Sequence, residues 1–193
     1  MDNKDLLALL DFFHQAELLK GVLRHSWLSS GRRESVAEHS WRMALMAIVL
    51  APKVNPNLDM TKLLKIIALH DLAEVYAGDP WAFNKKSLDK EVKELSSMQK
   101  LLAGLPEELR DDLLSIWQEY EEISSEEAKL AKALDKLEVL IQHNEAKIKT
   151  WNKKEFALNF VHGDEYCLYS ETLWKLKELV KDESWQKILK EYT

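Results

Sequence analysis

Breakers are scarce in this chain. Of 193 residues, only 5 are Gly and 4 are Pro, too few to punctuate the many short strands of a sandwich or barrel. Ala, Leu, Glu and Lys, all good helix formers, dominate between the breaks. The fold must therefore be assembled from helices whose ends are set by a few identifiable stops and caps.

Residues 3–20 read as an amphipathic helix, with Leu6, Leu9, Leu10, Phe13, Leu18 and Leu19 near helical spacing and Gly21 as its stop. Residues 21–34 read as a loop. Ser35 and Glu38 form a capping-box pattern that opens a second helix, which runs to about Leu50 before Pro52. Asp59 or Thr61 opens a third, expected to continue through His70-Asp71 to about Tyr76, where Gly78-Asp79-Pro80 breaks it. After a loop at 78–86, helices are predicted at about 87–103 and 107–122. Ser124 or Ser125 caps a long helix at 126–150. A loop at 152–163 leads to final helices at 164–181 and 183–191. No strand, repeat or low-complexity segment is evident, and 1–193 reads as a single all-α domain of ordinary size. Seven Trp promise a large aromatic contribution to its core or to a groove.

Net charge is −6 with both signs interspersed, which argues against a broad nucleic-acid footprint but leaves room for one small basic pocket. Cys167 is the only cysteine, so no intrachain disulfide can form, as expected in a reducing cytoplasm. The polar start Met1-Asp2-Asn3-Lys4-Asp5 does not read as a signal-peptide pattern, and no apolar run in these residues is long enough to span a bilayer. Phosphate-binding Gly-rich motifs of the P-loop and dinucleotide type are absent.

Against this background stand His39, the pair His70-Asp71, and Asp135. Two imidazoles and two carboxylates make a mixed N/O donor set suited to a divalent cation, compatible with Mn, Co, Fe, Ni, Zn or Mg. Asp135 lies on an apolar-rich stretch, where an unpaired carboxylate is costly. Either a cation or a neighbouring Lys132 or Lys136 would relieve that cost. Spacing alone leaves both explanations open.

The flanking residues carry more. Val36-Ala37-Glu38-His39, then His70-Asp71-Leu72-Ala73-Glu74 with Gly78-Asp79 and a later Asp135 on a long helix, resemble the HD-domain metal-dependent phosphohydrolase superfamily. Within it, they most resemble the 5'-deoxynucleotidase-like branch. The resemblance is strongest over residues 5–145. It implies an all-α helical bundle, often homodimeric. It also implies that His39, His70, Asp71 and Asp135 bind one divalent metal ion per chain, that Glu74 handles protons, that Asp79 contacts substrate or water, and that Arg24 contacts the phosphate. These residue types suit those roles: a carboxyl can shuttle a proton, and a guanidinium offers a bidentate fork to phosphate.

The segment Arg24-His25-Ser26-Trp27 departs from the Arg-Trp pair of the bacterial deoxynucleotidases and is closer to the Arg-x-Gly-Trp of eukaryotic and archaeal relatives. His25 and Trp27 are thus possible substrate contacts, and a preference for deoxyribose does not follow. Trp81 and Phe83 either stack a base or cover the core. Lys85 and Lys86 either attract phosphate or are solvated. The expected activity is removal of the 5'-phosphate from a (deoxy)nucleoside monophosphate. The alternatives are an HD hydrolase of a triphosphate, a cyclic nucleotide or guanosine tetraphosphate, and a non-catalytic metal-binding regulatory module. No nucleic-acid or membrane partner is expected, and the expected compartment is the cytoplasm.

Overall fold

The computed structural model describes residues 1–79 and 88–192. Its elements are α1 (Asn3–Glu17), β1 (Leu23–Trp27), β2 (Arg33–Ser35), α2 (Val36–Val54), α3 (Met60–Leu69), α4 (Glu74–Ala77), α5 (Leu88–Leu102), α6 (Glu107–Glu122), α7 (Glu126–Glu145), α8 (Lys153–Val161), α9 (Asp164–Cys167) and α10 (Glu171–Tyr192). Short 3₁₀ turns occupy Leu18–Gly21 and Ile148–Thr150.

Local chemistry sets the starts of the key helices. Ser35 Oγ accepts the Glu38 amide at 3.3 Å and the Glu38 carboxylate accepts the Ser35 amide at 2.9 Å, closing the capping box of α2. Asp59, rather than Thr61, caps α3 by accepting the Lys62 amide at 3.0 Å. Ser125, rather than Ser124, caps α7 through the Ala128 amide at 3.1 Å. Each cap removes an orphan amide and contributes about 1 kcal/mol.

Helix α7 is the centre of the bundle. It packs against α2, α3, α6, α9, α10 and β1. Leu130, Leu134 and Leu137 are fully buried there, facing Met43 and Ala47 of α2 and Leu63 and Ile66 of α3 in one continuous core. Truncating such a leucine to Ala costs about 2–5 kcal/mol. Gly163 lets the chain close on this helix. Its φ is +73°, and a Cβ there would sit 2.4 Å from Lys136 Cβ. No helix among the described residues is long and apolar enough to cross a membrane.

Several boundaries differ from expectation. Helix α2 does not stop before Pro52 but runs through it to Val54, and α7 ends at Glu145 rather than near 150. Segment 21–34 is not a loop throughout. Leu23–Trp27 and Arg33–Ser35 form an antiparallel hairpin, turned at Gly31 with φ +92°. Such a two-stranded ribbon is marginal alone, but here it packs on α7 and on the Leu18–Gly21 turn. The third helix stops at Leu69, and a turn at 70–73 precedes α4. Segment 152–163 holds α8, opened by a capping box between Asn152 and Glu155. The chain after Glu171 is one helix, α10, without a break near 182. In addition, α1 ends at Glu17 and leaves Leu6, Leu10 and Phe13 largely exposed, so its apolar face is only partly used.

Candidate active site

His39 lies one turn inside α2, where the Ser35 cap fixes the helix start, and its side chain is completely buried. His70 is the C-cap of α3 and is also buried. Each ring has one nitrogen engaged. His70 Nδ1 lies 2.8 Å from the Ile67 carbonyl, which only a protonated Nδ1 can satisfy. His39 Nδ1 is hydrogen-bonded to the Glu138 carboxylate on α7. These partners set both rings to present Nε2, and neither Nε2 has a hydrogen-bond partner among the described residues.

Both Nε2 atoms face carboxylates. Asp71 Oδ2 is 3.1 Å from His70 Nε2 and 3.9 Å from His39 Nε2. Asp135 Oδ1 is 3.4 Å from His39 Nε2, while its Oδ2 accepts Tyr120 Oη at 3.0 Å and Lys136 Nζ at 2.7 Å. Donor atoms of His39, His70 and Asp135 all fall within 4.8 Å of one another. Of the alternatives left open for Asp135, the lysine pairing is seen at one oxygen, which Lys136 holds, while the other oxygen faces the His39 imidazole. Two buried, correctly oriented imidazole lone pairs beside two carboxylates could hold a divalent ion.

The local field favours a cation. Burial and the Arg24 charge oppose the imidazolium of His39, yet Glu138 and Asp135 outweigh them and push its pKa up to about 9. Burial likewise opposes ionisation of Asp71 and Asp135. His70 and Arg24 hold Asp71 well below the ordinary carboxylate range, as Lys136 and His39 do for Asp135.

Arg24 comes from β1, not from a loop. Its Nη1 lies 3.2 Å from Asp71 Oδ2 and its Nε 3.5 Å from Glu34 Oε2, with only 11 % of the side chain exposed. Glu74 opens α4. The turn at 70–73 replaces the expected continuous helix, yet Glu74 still lines the same cleft as His70, Asp71 and Asp135. It is 6 % exposed, and burial with the charges of Asp71 and Asp79 pushes its pKa up to about 10. Gly78, at φ +73°, turns the chain so that Asp79 falls within the field of Asp71 and Arg24; burial and Asp71 raise the pKa of Asp79 while Arg24 opposes them.

His25 is half-exposed and pairs with Glu155 of α8 at 3.0 Å. The Trp27 ring lies under Arg33, 5.6 Å from the guanidinium carbon, and its carbonyl accepts Gln142 Nε2 at 2.7 Å. Trp81, Phe83, Lys85 and Lys86 lie outside the described residues. Sequence reasoning missed Glu34, Arg42, Glu138 and Gln142. A signal existed for part of this group: Asp135, Glu138, Gln142 and Glu145 follow at i, i+3, i+7 and i+10, a polar stripe on a helix otherwise built for a core.

The sequence model of the HD domain matches residues 16–176. Human 5'-deoxynucleotidase HDDC2 is 37% identical over 141 residues, which are 72% of this chain and 68% of that protein. The Danio rerio protein of the same name is 34% identical over 185 residues, 93% of this chain and 87% of its own length. A crystal structure from Magnetospirillum magnetotacticum, described as a predicted metal-dependent phosphohydrolase, superposes with a TM-score of 0.82 at 29% identity, covering 96% of this chain and 97% of that one.

Proposed function

The chain belongs to the HD-domain family, and on that premise we propose that it is a metal-dependent phosphoric monoester hydrolase that removes the 5'-phosphate from (deoxy)nucleoside monophosphates. One observation carries the reading: two buried imidazoles present to two carboxylates Nε2 atoms that have no hydrogen-bond partner among the described residues, with the Arg24 guanidinium 3.2 Å from one of the carboxylates. The names of the human and Danio rerio relatives support the substrate class.

In this reading His39, His70, Asp71 and Asp135 hold a divalent ion. When bound, the ion would acidify a water and polarise a phosphoryl oxygen. Arg24 binds the phosphate and offsets the charge that grows on its oxygens during in-line attack. The charge of a bound ion would lower the raised pKa of Glu74, so that Glu74 or Asp79 takes the proton of the attacking water and returns it to the leaving 5'-alkoxide, and a nucleoside and inorganic phosphate depart. Burial of Arg24 and Glu74 keeps bulk water from screening these charges.

Residues 1–193 act here as one domain, supported by a core that is continuous from Leu19 to Leu173. Homodimerisation in the cytoplasm belongs to the same reading. Trp41, Leu45, Ile48 and Val49 form an exposed apolar row along α2, with Trp41 67 % exposed, and the lone Cys167 is buried.

The test is a phosphate-release screen of mono-, tri- and cyclic nucleotides, each with Mn, Co, Fe, Ni, Zn or Mg. Release from monophosphates that chelator abolishes is the expected result. Full activity after chelation, or release only from tri- or cyclic nucleotides, overturns the reading.

A further inference from the structure

Glu138 lies on α7 one turn beyond Asp135 and is completely buried. A buried carboxylate needs every lone pair accounted for. Its Oε2 is hydrogen-bonded to His39 Nδ1. Its Oε1 accepts a hydrogen bond from Arg42 Nε at 2.7 Å, and Arg42 Nη2 lies 2.6 Å from the same oxygen as an ion pair. Arg42 lies on α2, one turn beyond His39, so the same two helices that supply His39 and Asp135 also supply the acid and the base that brace them.

The bracing continues outward. Arg42 Nη2 also donates to Gln142 Oε1 at 2.7 Å, and Nη1 reaches Glu145 Oε2 at 2.6 Å. Gln142 then donates to the Trp27 carbonyl on β1 at 2.7 Å. β1 is the strand that carries Arg24. An unbroken chain of bonds thus runs from the His39 ring to the strand that presents the cationic side chain of the cleft.

A purely structural Arg42–Glu138 pair would leave Oε2 free to face any donor. Here it is spent on the one imidazole nitrogen whose protonation frees Nε2 as a lone pair. Glu34, His39 and Glu138 also cluster within 4.8 Å. That group is not a second cation site, because the Arg24 and Arg42 guanidinia already neutralise its carboxylates and the His39 Nδ1 position is taken. We infer that Glu138, clamped by Arg42, is a positioning residue that fixes the orientation and tautomer of His39 at the donor cluster, and that the clamp ties this cluster to the strand bearing Arg24. The inference rests on the assignment of His39 as a metal ligand.

The test compares full-length parent, Glu138→Ala, Glu138→Gln and Asp135→Asn. Mn(II) affinity is measured by titration, metal-free melting by circular dichroism, and His39 ring nitrogens by ¹⁵N NMR with saturating Zn(II). Parent is expected to show a protonated Nδ1 and a metal-bound Nε2. Glu138→Ala is expected to bind Mn(II) about a hundredfold more weakly and to lose that signature. Glu138→Gln, whose amide oxygen can still accept from Nδ1, is expected to keep the signature and to lose only about tenfold in affinity. Affinities of both variants within twofold of parent, while Asp135→Asn loses metal, overturn the positioning role and leave the metal site standing. Parent-like affinity of Asp135→Asn overturns the metal site and this inference with it. If Glu138→Ala does not fold, Glu138→Gln decides by the same twofold limit.

Discussion

Helix α7 carries two clusters of buried polar side chains that behave in opposite ways. Near its C-terminus, Asn144, Asn159 of α8 and Ser184 of α10 close on one another. Asn144 Nδ2 donates to the Val180 carbonyl at 2.8 Å, Asn159 Nδ2 to Ser184 Oγ at 3.1 Å, and Ser184 Oγ lies 2.7 Å from Asn144 Oδ1. At the middle of the helix, Asp135 joins His39, His70, Asp71 and Glu74, where two imidazole Nε2 atoms and Glu74 Oε2 lack partners among the described residues. Leaving a buried polar atom unpaired costs about 1–3 kcal/mol. The first cluster has used its hydrogen-bonding capacity to join three helices. The second leaves two imidazole nitrogens and one carboxyl oxygen unspent among the described residues, the expected signature of a binding site rather than of a brace.

The largest effect that would sharpen this contrast comes from His70→Ala. It should abolish bound metal, read by elemental analysis, and reduce turnover by about a thousandfold or more, because the ion's electrostatic help is worth several kcal/mol. Parent-level metal and turnover would break the contrast. Arg24→Ala comes next. It should lower kcat/KM by about a hundred- to a thousandfold with metal content unchanged, and Arg24→Lys should recover only part, because a lysine cannot offer the planar fork.

The brace should answer differently. Asn159→Ala removes an acceptor for His143 Nδ1 and the donor to Ser184. It should cost about 1–3 kcal/mol in urea unfolding, while metal content and turnover of the folded fraction stay at parent level. A loss of turnover without a loss of stability would mean that the two clusters are not separate.

The smallest effect concerns His162, whose pKa is pushed down from 6.5 to about 4 by burial and by Lys136 and Lys177, against the opposing charges of Asp135 and Glu165. The folded state thus keeps this ring neutral where the unfolded chain protonates. Its contribution is intact above pH 6.5 and falls as pH drops from 6.5 toward 4. In chelator, between pH 6.5 and 5.5, the unfolding equilibrium should shift by up to about tenfold less in His162→Gln than in parent. Identical slopes would rule out the effect.

Much of this was legible in the linear chain. The caps at Ser35, Asp59 and Ser125 follow from side chains that satisfy amides three residues away. The helices Leu88–Leu102 and Glu107–Glu122 follow from periodicity bounded by Gly104 and Pro106. His39, His70, Asp71 and Asp135 stood out through the flanking residues Val36-Ala37-Glu38, Glu74 and Gly78-Asp79 that carry the resemblance to HD-domain proteins; their spacing alone left them open. The hairpin did not stand out. Five residues facing three are too few to show a period of two, and the ribbon depends on α7 for support. Nor did the turn at 70–73, since Leu69 to Tyr76 contains neither Gly nor Pro.

What the sequence by itself determined is the class of fold and the helix starts, because each is written in neighbours a few residues apart. Tertiary structure decided which donors meet and what holds them. Glu138 is 99 residues from His39, Asp71 is 47 from Arg24 and Gln142 is 115 from Trp27. Contacts at such separations leave no local trace, since they exist only once the apolar faces of α2, α3 and α7 have packed and fixed the distances between their polar stripes.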